Sequence, residues 1–248
     1  MCLLRTLLFA ALLLSSIPSL YAGTTTDPSG HWEGTISAPM GEVRIEVDLA
    51  KNAKGEVTGT FGQPAQELEG RVIPKLKGLP ISSVAVKGRA VTLELKATAE
   101  GGTFQGTLLP DGKSMSGDFA SQGGAVPFRL TRTGDARIEA PPKSARIGKE
   151  MEGIWNGAVD VNGKQLRLVL KMSNQRDGTS TGSLASIDQG GIELPVAIIQ
   201  KDANLTLDVK VTGGSYVGAL NAAGTELVGT FTTQGVVLPL TFRRSTGK

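Results

Sequence analysis

An internal repeat limits the possible folds more than anything else in the sequence, because a Gly-x-Trp-x-Gly segment occurs once in each half of the chain. Two segments that follow it also return, with their order and spacing kept. The pairs are Gly30-His31-Trp32-Glu33-Gly34 with Gly153-Ile154-Trp155-Asn156-Gly157, Gly102 to Leu108 with Gly214 to Leu220, and Met115 to Phe119 with Leu227 to Phe231. Self-similarity of this kind indicates two tandem modules of one fold.

Residues 1–22 have the pattern of a secretory signal peptide. Arg5 supplies a positive charge, an apolar run extends from Leu7 to Leu14, and the small residue Ala22 ends the segment. A spanning helix needs about 20 apolar residues, so we expect cleavage and no transmembrane segment afterwards. The protein is therefore predicted to be exported, to the periplasm or the medium. Cys2 is the only cysteine, so the mature modules must fold without disulfides.

Apolar and polar residues alternate along much of the remaining chain, for example from Glu42 to Leu49, Val91 to Leu95 and Leu166 to Met172. This period of two predicts strands with one buried and one solvated face. Glycine-containing turns separate them at short intervals, and no segment keeps a helical period. We therefore predict an all-β protein of two tandem, small, antiparallel up-and-down barrels of the lipocalin-like kind, or curled sheets, with about eight strands each.

Composition places the module boundaries. The first module is predicted at 23–134, a linker at 135–151 and the second module at 152–248. Pro141-Pro142 predicts a semi-rigid spacer that keeps the modules apart. The copies differ at Gln66 to Lys77, an insertion expected to form a loop or hairpin, and at Ser186 to Gly191. A function that differs between the modules is expected at these two places.

Several motifs follow one another along nearly the whole second module. They are Gly153-x-Trp155-x-Gly157, Leu166 to Lys171, Thr181 to Leu184, Ser186 to Gly190, Gly213 to Leu220, Leu227 to Phe231 and Gln234 to Leu240. In this combination the module resembles the non-catalytic β module that precedes some exported bacterial α/β hydrolases. The first module resembles it less, because Gly62-Gln63-Pro64 and the insertion replace the Asp-Gln-Gly segment. The resemblance covers no hydrolase domain and implies an accessory role.

No catalytic constellation accompanies the repeat. Gly178 to Gly182 satisfies the letters G-x-S-x-G, but Ser180 falls at a predicted hairpin, and the only histidine, His31, precedes it. A hydrolase elbow needs a following helix and a later histidine. A single His and a single Cys also leave almost no ligands for zinc or copper. We therefore predict that the protein is not an enzyme and has no catalytic, cofactor-binding or metal-binding residues.

Carboxylates on the alternating strands would be needed for a glycosidase mechanism. The candidates are Glu46, Asp48, Glu94 and Asp208. All four fall on the polar faces of their strands, where we expect solvated charges. The formal net charge of +3 is spread over strands that carry both signs, which excludes a nucleic-acid stripe.

Each tryptophan of the repeat has an arginine near the end of its module. Trp32 with Arg132 and Trp155 with Arg244 are similar to the pairs of lipocalin-like barrels, in which an Arg caps the Trp ring at the closed end. An indole fills the narrow end of a small barrel, and a guanidinium can stack on its face. We expect both tryptophans to be buried; the alternative is an exposed Trp that stacks on a ligand.

Three functions remain open. The first is an exported, non-catalytic binding or accessory protein of the cell envelope, engaging a protein or glycan. The second is a lipocalin-like carrier of a small apolar ligand, which requires a cavity inside a barrel, whereas the dense Val, Leu and Ile pattern predicts filled interiors. The third is a fragment or partner of a secreted α/β hydrolase. An outer-membrane barrel is disfavoured because aromatic residues are only 4% of the chain.

Overall fold

The computed structural model describes residues 27–96, 101–161 and 163–246. The predicted signal peptide, residues 1–22, lies outside the described residues. The described residues form strands joined by turns, with one short 3-10 helix and no α-helix among them. This confirms the all-β prediction.

The first module is a curled, nine-stranded antiparallel sheet. Its strands are β1 (Gly30–Ala38), β2 (Gly41–Lys51), β3 (Val57–Gln63), β6 (Leu76–Pro80), β7 (Ser83–Lys87), β8 (Ala90–Leu95), β9 (Gly102–Leu108), β10 (Ser114–Ser121) and β11 (Gly124–Gly134). The order across the sheet is β6-β3-β2-β1-β11-β10-β9-β8-β7. The insertion forms a separate hairpin of β4 (Gln66–Leu68) and β5 (Arg71–Ile73).

The second module is a closed, eight-stranded barrel. Its strands are β13 (Gly153–Val161), β14 (Lys164–Asn174), β15 (Thr179–Ser186), β16 (Glu193–Lys201), β17 (Asn204–Val209), β18 (Gly214–Leu220), β19 (Glu226–Thr233) and β20 (Val236–Arg244). Neighbours along the chain pair with one another, and β13 also pairs with β20. The short β12 (Ser144–Ala145) adds to β15 from outside the ring.

One strand decides whether each module closes. The first half of β16 pairs with β15 and its second half pairs with β17, which completes the ring. In the first module this strand is divided into β6, which pairs with β3, and β7, which pairs with β8. Ile81 and Ser82 stand at the division. The Ile81 N–H donates to Gly59 of β3, whereas the Ser82 N–H donates to Glu94 of β8. The first module is a curled sheet, and the second is a barrel whose β16 stays continuous although it also contains a proline, Pro195.

Both interiors are filled by packed side chains, as the alternation predicts. The first core contains Trp32, Leu49, Leu93 and Phe104, each at most 1% exposed. The second contains Trp155, Leu170, Tyr216 and Phe242, likewise at most 1% exposed. Burying one such side chain stabilises a fold by about 1.5 to 3 kcal/mol. Close packing of this kind favours scaffold barrels over barrels that enclose a ligand.

Part of the predicted linker belongs to the second barrel. Ile147 and Met151 lie in its core, 3% and 0% exposed. The side-chain amide of Asn174 makes two hydrogen bonds to the backbone of Ile147. Its Oδ1 accepts from the Ile147 N–H at 3.0 Å, and its Nδ2 donates to the Ile147 carbonyl at 2.9 Å. Only residues 135–143, which we call the strap, run between the two modules.

The two modules touch, so the prediction of a spacer that keeps them apart is wrong. Val211, in the turn after β17, is 4% exposed and packs against the first core. Its carbonyl accepts a hydrogen bond from the backbone N–H of Lys77 at 3.0 Å. Gly190 meets the first module at a second point, where an added Cβ would lie 2.4 Å from the carbonyl oxygen of Lys96. Local composition could not reveal this docking, because it depends on apolar groups far from the prolines.

Tyr216 makes the stability of the second barrel sensitive to alkali. Its hydroxyl donates to the Leu227 carbonyl at 3.0 Å, and burial raises its pKa to about 12. An unfolded tyrosine ionises at about pH 10, so stability should be unaffected below that pH. Between about pH 10 and 12 only the unfolded chain releases the proton, and stability should fall by about 3 kcal/mol.

Denaturant unfolding of the wild type and of Tyr216→Phe over this pH range measures the effect. The difference between the two proteins isolates the tyrosine from the lysines that titrate in the same range. We expect the wild type to lose more stability than the variant above pH 10. Parallel pH profiles would contradict the assignment.

Candidate binding cleft

The structure confirms both predicted tryptophan and arginine pairs. Trp32 stands opposite Arg132, and Trp155 stands opposite Arg244, across directly paired strands. Both indoles are 0% exposed. The guanidinium carbons of Arg132 and Arg244 lie 4.9 and 4.1 Å from the centres of the rings. The tryptophans are therefore parts of the scaffold rather than exposed stacking platforms.

Each pair also ties down the chain that enters its module. Trp32 Nε1 donates to the carbonyl of Pro28 at 2.9 Å, and Trp155 Nε1 donates to that of Met151 at 3.0 Å. Arg244 donates to the carbonyls of Glu152, at 2.7 Å, and Glu150. A guanidinium carries five N–H donors, and backbone carbonyls accept from three of them in Arg244. The pairs close one end of each module.

Ser180 is not placed as a nucleophile. It lies at the beginning of β15, is 0% exposed, and donates through Oγ to the carbonyl of Ala145 at 2.7 Å. The segment after it is strand rather than helix. Its hydroxyl fastens β12 to the barrel, which is a structural role.

The prediction of solvated carboxylates is wrong for one of the four residues. Glu46 is exposed, and Glu94 and Asp208 are partly exposed. Asp48 is buried, at 9% exposure, although it points away from the core. The strap covers it, and the backbone N–H of Arg137 donates to Asp48 Oδ1 at 2.7 Å. A pattern within one strand cannot reveal a cover that comes from 89 residues further along the chain.

Asp48 belongs to a network with the buried His31 and the exposed Glu33. His31 is 2% exposed, and its Nδ1 lies 2.8 Å from Asp48 Oδ1 while its Nε2 lies 3.1 Å from Glu33 Oε1. Each ring nitrogen of His31 is thus within hydrogen-bonding distance of a carboxylate oxygen. A general base must present a free nitrogen to its substrate. Here both nitrogens are engaged, which fits a structural or ligand-orienting role.

A cleft opens between the first module, the strap and the second barrel. Its larger chamber has a volume of about 880 Å³. Apolar side chains from all three parts line this chamber: Pro80, Ile138, Pro141, Ile154 and Pro195. Ile154 is 46% exposed, which is unusual for an isoleucine on an otherwise polar strand face. Lys171 and Glu193 form an ion pair at the edge.

The smaller chamber has a volume of about 460 Å³ and shares Thr60, Gly78, Glu139 and Pro195 with the larger one. Its lining is charged, because His31, Glu46, Asp48, Lys77, Arg137, Glu139 and Lys210 all contribute. Both volumes fall in the range of about 300 to 1,000 Å³ that is typical of small-molecule sites. The cleft therefore joins an apolar compartment to a polar one.

The charged side chains of the smaller chamber are balanced, since Lys77, Arg137 and Lys210 stand with Glu46, Asp48 and Glu139. Lys77 Nζ lies 2.5 Å from Glu139 Oε1, and this hydrogen-bonded pair raises the pKa of Lys77 and lowers that of Glu139. Asp48 already accepts a hydrogen bond from the backbone N–H of Arg137 and lies within hydrogen-bonding distance of His31. The cationic donors of Arg137 and Lys210 can bind an anionic group that enters the chamber.

The two segments in which the copies differ are equivalent connections, one in each module. Gln66 to Lys77 joins β3 to β6, and Ser186 to Gly191 joins β15 to β16. The insertion forms a hairpin, as predicted, with Val72 at its tip 77% exposed. Neither chamber of the cleft is lined by Ser186 to Gly191. Ser186 to Gly191 instead contacts Lys96 of the first module. The difference between the two copies at this segment therefore contributes to the docking of the modules.

An aspartate stabilises the shorter connection. Asp188 accepts from Arg167 Nη2 at 2.6 Å and from the Arg167 backbone N–H at 2.7 Å. These bonds lower the pKa of Asp188 to about 2. The carboxylate thus stays ionised in mild acid and keeps this turn fixed against β14.

Neither a cluster of metal ligands nor a membrane-spanning helix is found in the part of the chain that the structure describes. No group of three or more His, Cys, Asp or Glu side chains there could hold a metal ion. Within the same residues, no helix is both long and apolar enough to cross a membrane.

No protein-family model matches this sequence, and no curated protein matches it. Several solved structures have detectable similarity, and two of them are described here. A candidate outer membrane protein of Bacteroides fragilis is 12% identical over 88% of this chain and 97% of that chain, with a TM-score of 0.25. A DUF3598-family protein of unknown function from Nostoc punctiforme is 14% identical over 88% of this chain and 96% of that chain, also with a TM-score of 0.25. At these values neither indicates a function, and the resemblance to the hydrolase-associated module stays a prediction.

Proposed function

We propose that the chain is an exported, non-catalytic binding protein of the cell envelope and that the cleft is its ligand site. The observation that carries the proposal is the joining of an apolar chamber to a charged one between two filled modules. A carrier that encloses its ligand inside a barrel is less well supported, since the interiors are occupied. The engaged nitrogens of His31 support a role without catalysis.

The ligand class follows from the two chambers. An apolar chain fits against Ile138, Pro141 and Ile154. Arg137 and Lys210 offer donors to an anionic head group at the other end. We therefore propose an amphipathic anion, such as an acyl chain with a terminal acid, as the ligand class.

Calorimetric titration with laurate tests this proposal, and dodecylamine, with the same chain and the opposite charge, is the matched probe. We expect laurate to bind with a micromolar dissociation constant and dodecylamine to bind at least about 10-fold more weakly. Ile154→Asp should weaken laurate by about 10-fold or more, because it places a carboxylate beside the acyl chain. Lys210→Glu should weaken laurate and not dodecylamine.

Val72→Asp provides the control, since Val72 is exposed on the hairpin and lines neither chamber. This variant should bind laurate like the wild type. Absence of laurate binding, or equal binding by Ile154→Asp and the wild type, would overturn the assignment of the cleft.

A further inference from the structure

The two chambers of the cleft meet at Thr60, Gly78, Glu139 and Pro195, which line both of them. We call the space between these four residues the junction. No other described residue lines both chambers, so the junction is narrower than either one. The ion pair with Lys77 holds Glu139 in place, and the ring of Pro195 is rigid. Gly78 has no side chain, and an added Cβ would meet no atom within 4 Å. The width of the junction therefore depends on this glycine.

Gly78 lies in a β-bulge at the end of the inserted segment. The register of the ladder between β3 and β6 shifts after Phe61, so that Lys77 and Gly78 together stand opposite the single residue Gly62. The φ of Gly78 is +70°, a left-handed conformation that is typical of glycine bulges. The backbone N–H of Lys77 donates to Val211 of the other module. The bulge thus turns Lys77 towards the second module and leaves open space beside Gly78.

The second barrel has neither the bulge nor the glycine. Leu79-Pro80 recurs as Leu194-Pro195, so Glu193 takes the place of Gly78. The ladder is regular there, and Glu193 pairs directly with Ala185. The fold that the two modules share therefore does not require a glycine at this position. Both the bulge and the glycine belong to the module with the longer connection.

We propose that Gly78 determines the shape of the ligand, and that the cleft selects an unbranched chain over a compact or branched apolar group. This inference rests on the proposed function, because it concerns a ligand with its anionic end in the smaller chamber and its apolar part in the larger one. Such a ligand must extend through the junction. An unbranched chain can do so and reach Ile138 and Ile154. A compact group stays in the smaller chamber and gains no contact with those side chains.

Gly78→Asn tests the proposal, because asparagine tolerates the left-handed conformation and places a side chain in the junction. Gly55→Asn is the matched control. Gly55 also has a left-handed φ, of +81°, and a Cβ there meets no atom within 4 Å, but it lines neither chamber. The probes for calorimetric titration are laurate, as the unbranched chain, and adamantanecarboxylate, as a compact apolar anion.

We expect the wild type and Gly55→Asn to bind laurate at least about 10-fold more tightly than adamantanecarboxylate. Gly78→Asn should weaken laurate by about 10-fold or more and change the binding of adamantanecarboxylate by less than about 2-fold. Thr60→Gln narrows the junction from the regular strand β3 and should act in the same direction. This second variant needs no left-handed residue, so it decides the question if circular dichroism shows that Gly78→Asn does not fold.

Three results would overturn the inference and leave the proposed function intact. They are equal laurate binding by Gly78→Asn and Gly55→Asn, an equal loss of both probes in Gly78→Asn, and a wild type that binds adamantanecarboxylate as tightly as laurate. In each of them laurate still binds to the wild type. Absence of laurate binding by the wild type would instead overturn the proposed function, and the role of Gly78 with it.

Discussion

Replacing Trp155 by alanine is expected to lower the free energy of unfolding of the second barrel by about 3 to 5 kcal/mol. The indole is fully buried, stacks under Arg244 at 4.1 Å, and donates to the carbonyl of Met151. Its removal leaves a cavity at the closed end of the barrel. It also removes the ring on which the Arg244 guanidinium stacks and the hydrogen bond that holds the Met151 carbonyl. Chemical denaturation followed by far-UV circular dichroism measures the loss.

Two further variants separate the contributions. Trp155→Phe keeps an aromatic ring but has no N–H to donate, so we expect a smaller loss, of about 1 to 2 kcal/mol. Val72→Ala removes apolar atoms from an exposed position and should change stability by less than about 0.5 kcal/mol. A loss below about 1 kcal/mol for Trp155→Ala would contradict the role of the indole as the plug of the barrel.

The second large effect is expected at a glycine that no turn requires. Gly229 stands directly opposite Gly218 on the neighbouring strand, and an added Cβ would lie 2.1 Å from the carbonyl oxygen of Val217. The partner atom belongs to the backbone, so β18 and β19 must move apart. We expect Gly229→Ala to cost about 3 kcal/mol, the upper part of the usual range for overpacking.

Gly134→Ala is the matched control. A Cβ at Gly134 meets no atom within 4 Å, so this substitution should be neutral or slightly stabilising through the unfolded state. Thermal unfolding of both variants makes the comparison. Gly117 occupies the equivalent place in the first module. Equal unfolding midpoints for the two variants would contradict the close approach of the strands as the reason that both copies have glycine here.

Features that depend on one strand and its repeat could be predicted from the sequence. The burial of Trp32 and Trp155 follows from alternation, and their pairing with Arg132 and Arg244 is expected from the resemblance to lipocalin-like barrels. The filled interiors follow from the same alternation. These properties are set by neighbours in a regular sheet, for which period and register are sufficient information.

Features that depend on the path of the strap could not be predicted. His31 alternates with the buried Trp32 and so belongs to the outer face, where a solvated side chain is the ordinary expectation. The strap buries it through the bond from the Arg137 N–H to Asp48. Likewise, Pro141-Pro142 has the composition of a spacer, whereas contacts such as the packing of Val211 on the first core bring the modules together. The cleft arises from these distant contacts, and no local motif marks it.

The cleft exists only if the two modules are docked in solution, and amide hydrogen exchange measured by NMR tests this most directly. The N–H of Lys77 donates to Val211 of the other module, and the N–H of Arg137 donates to Asp48 under the strap. We predict that both amides exchange as slowly as amides within the paired strands β13 and β14. Exchange of both at the rate of exposed turn amides, while the strands stay protected, would contradict the docked arrangement and the cleft that depends on it.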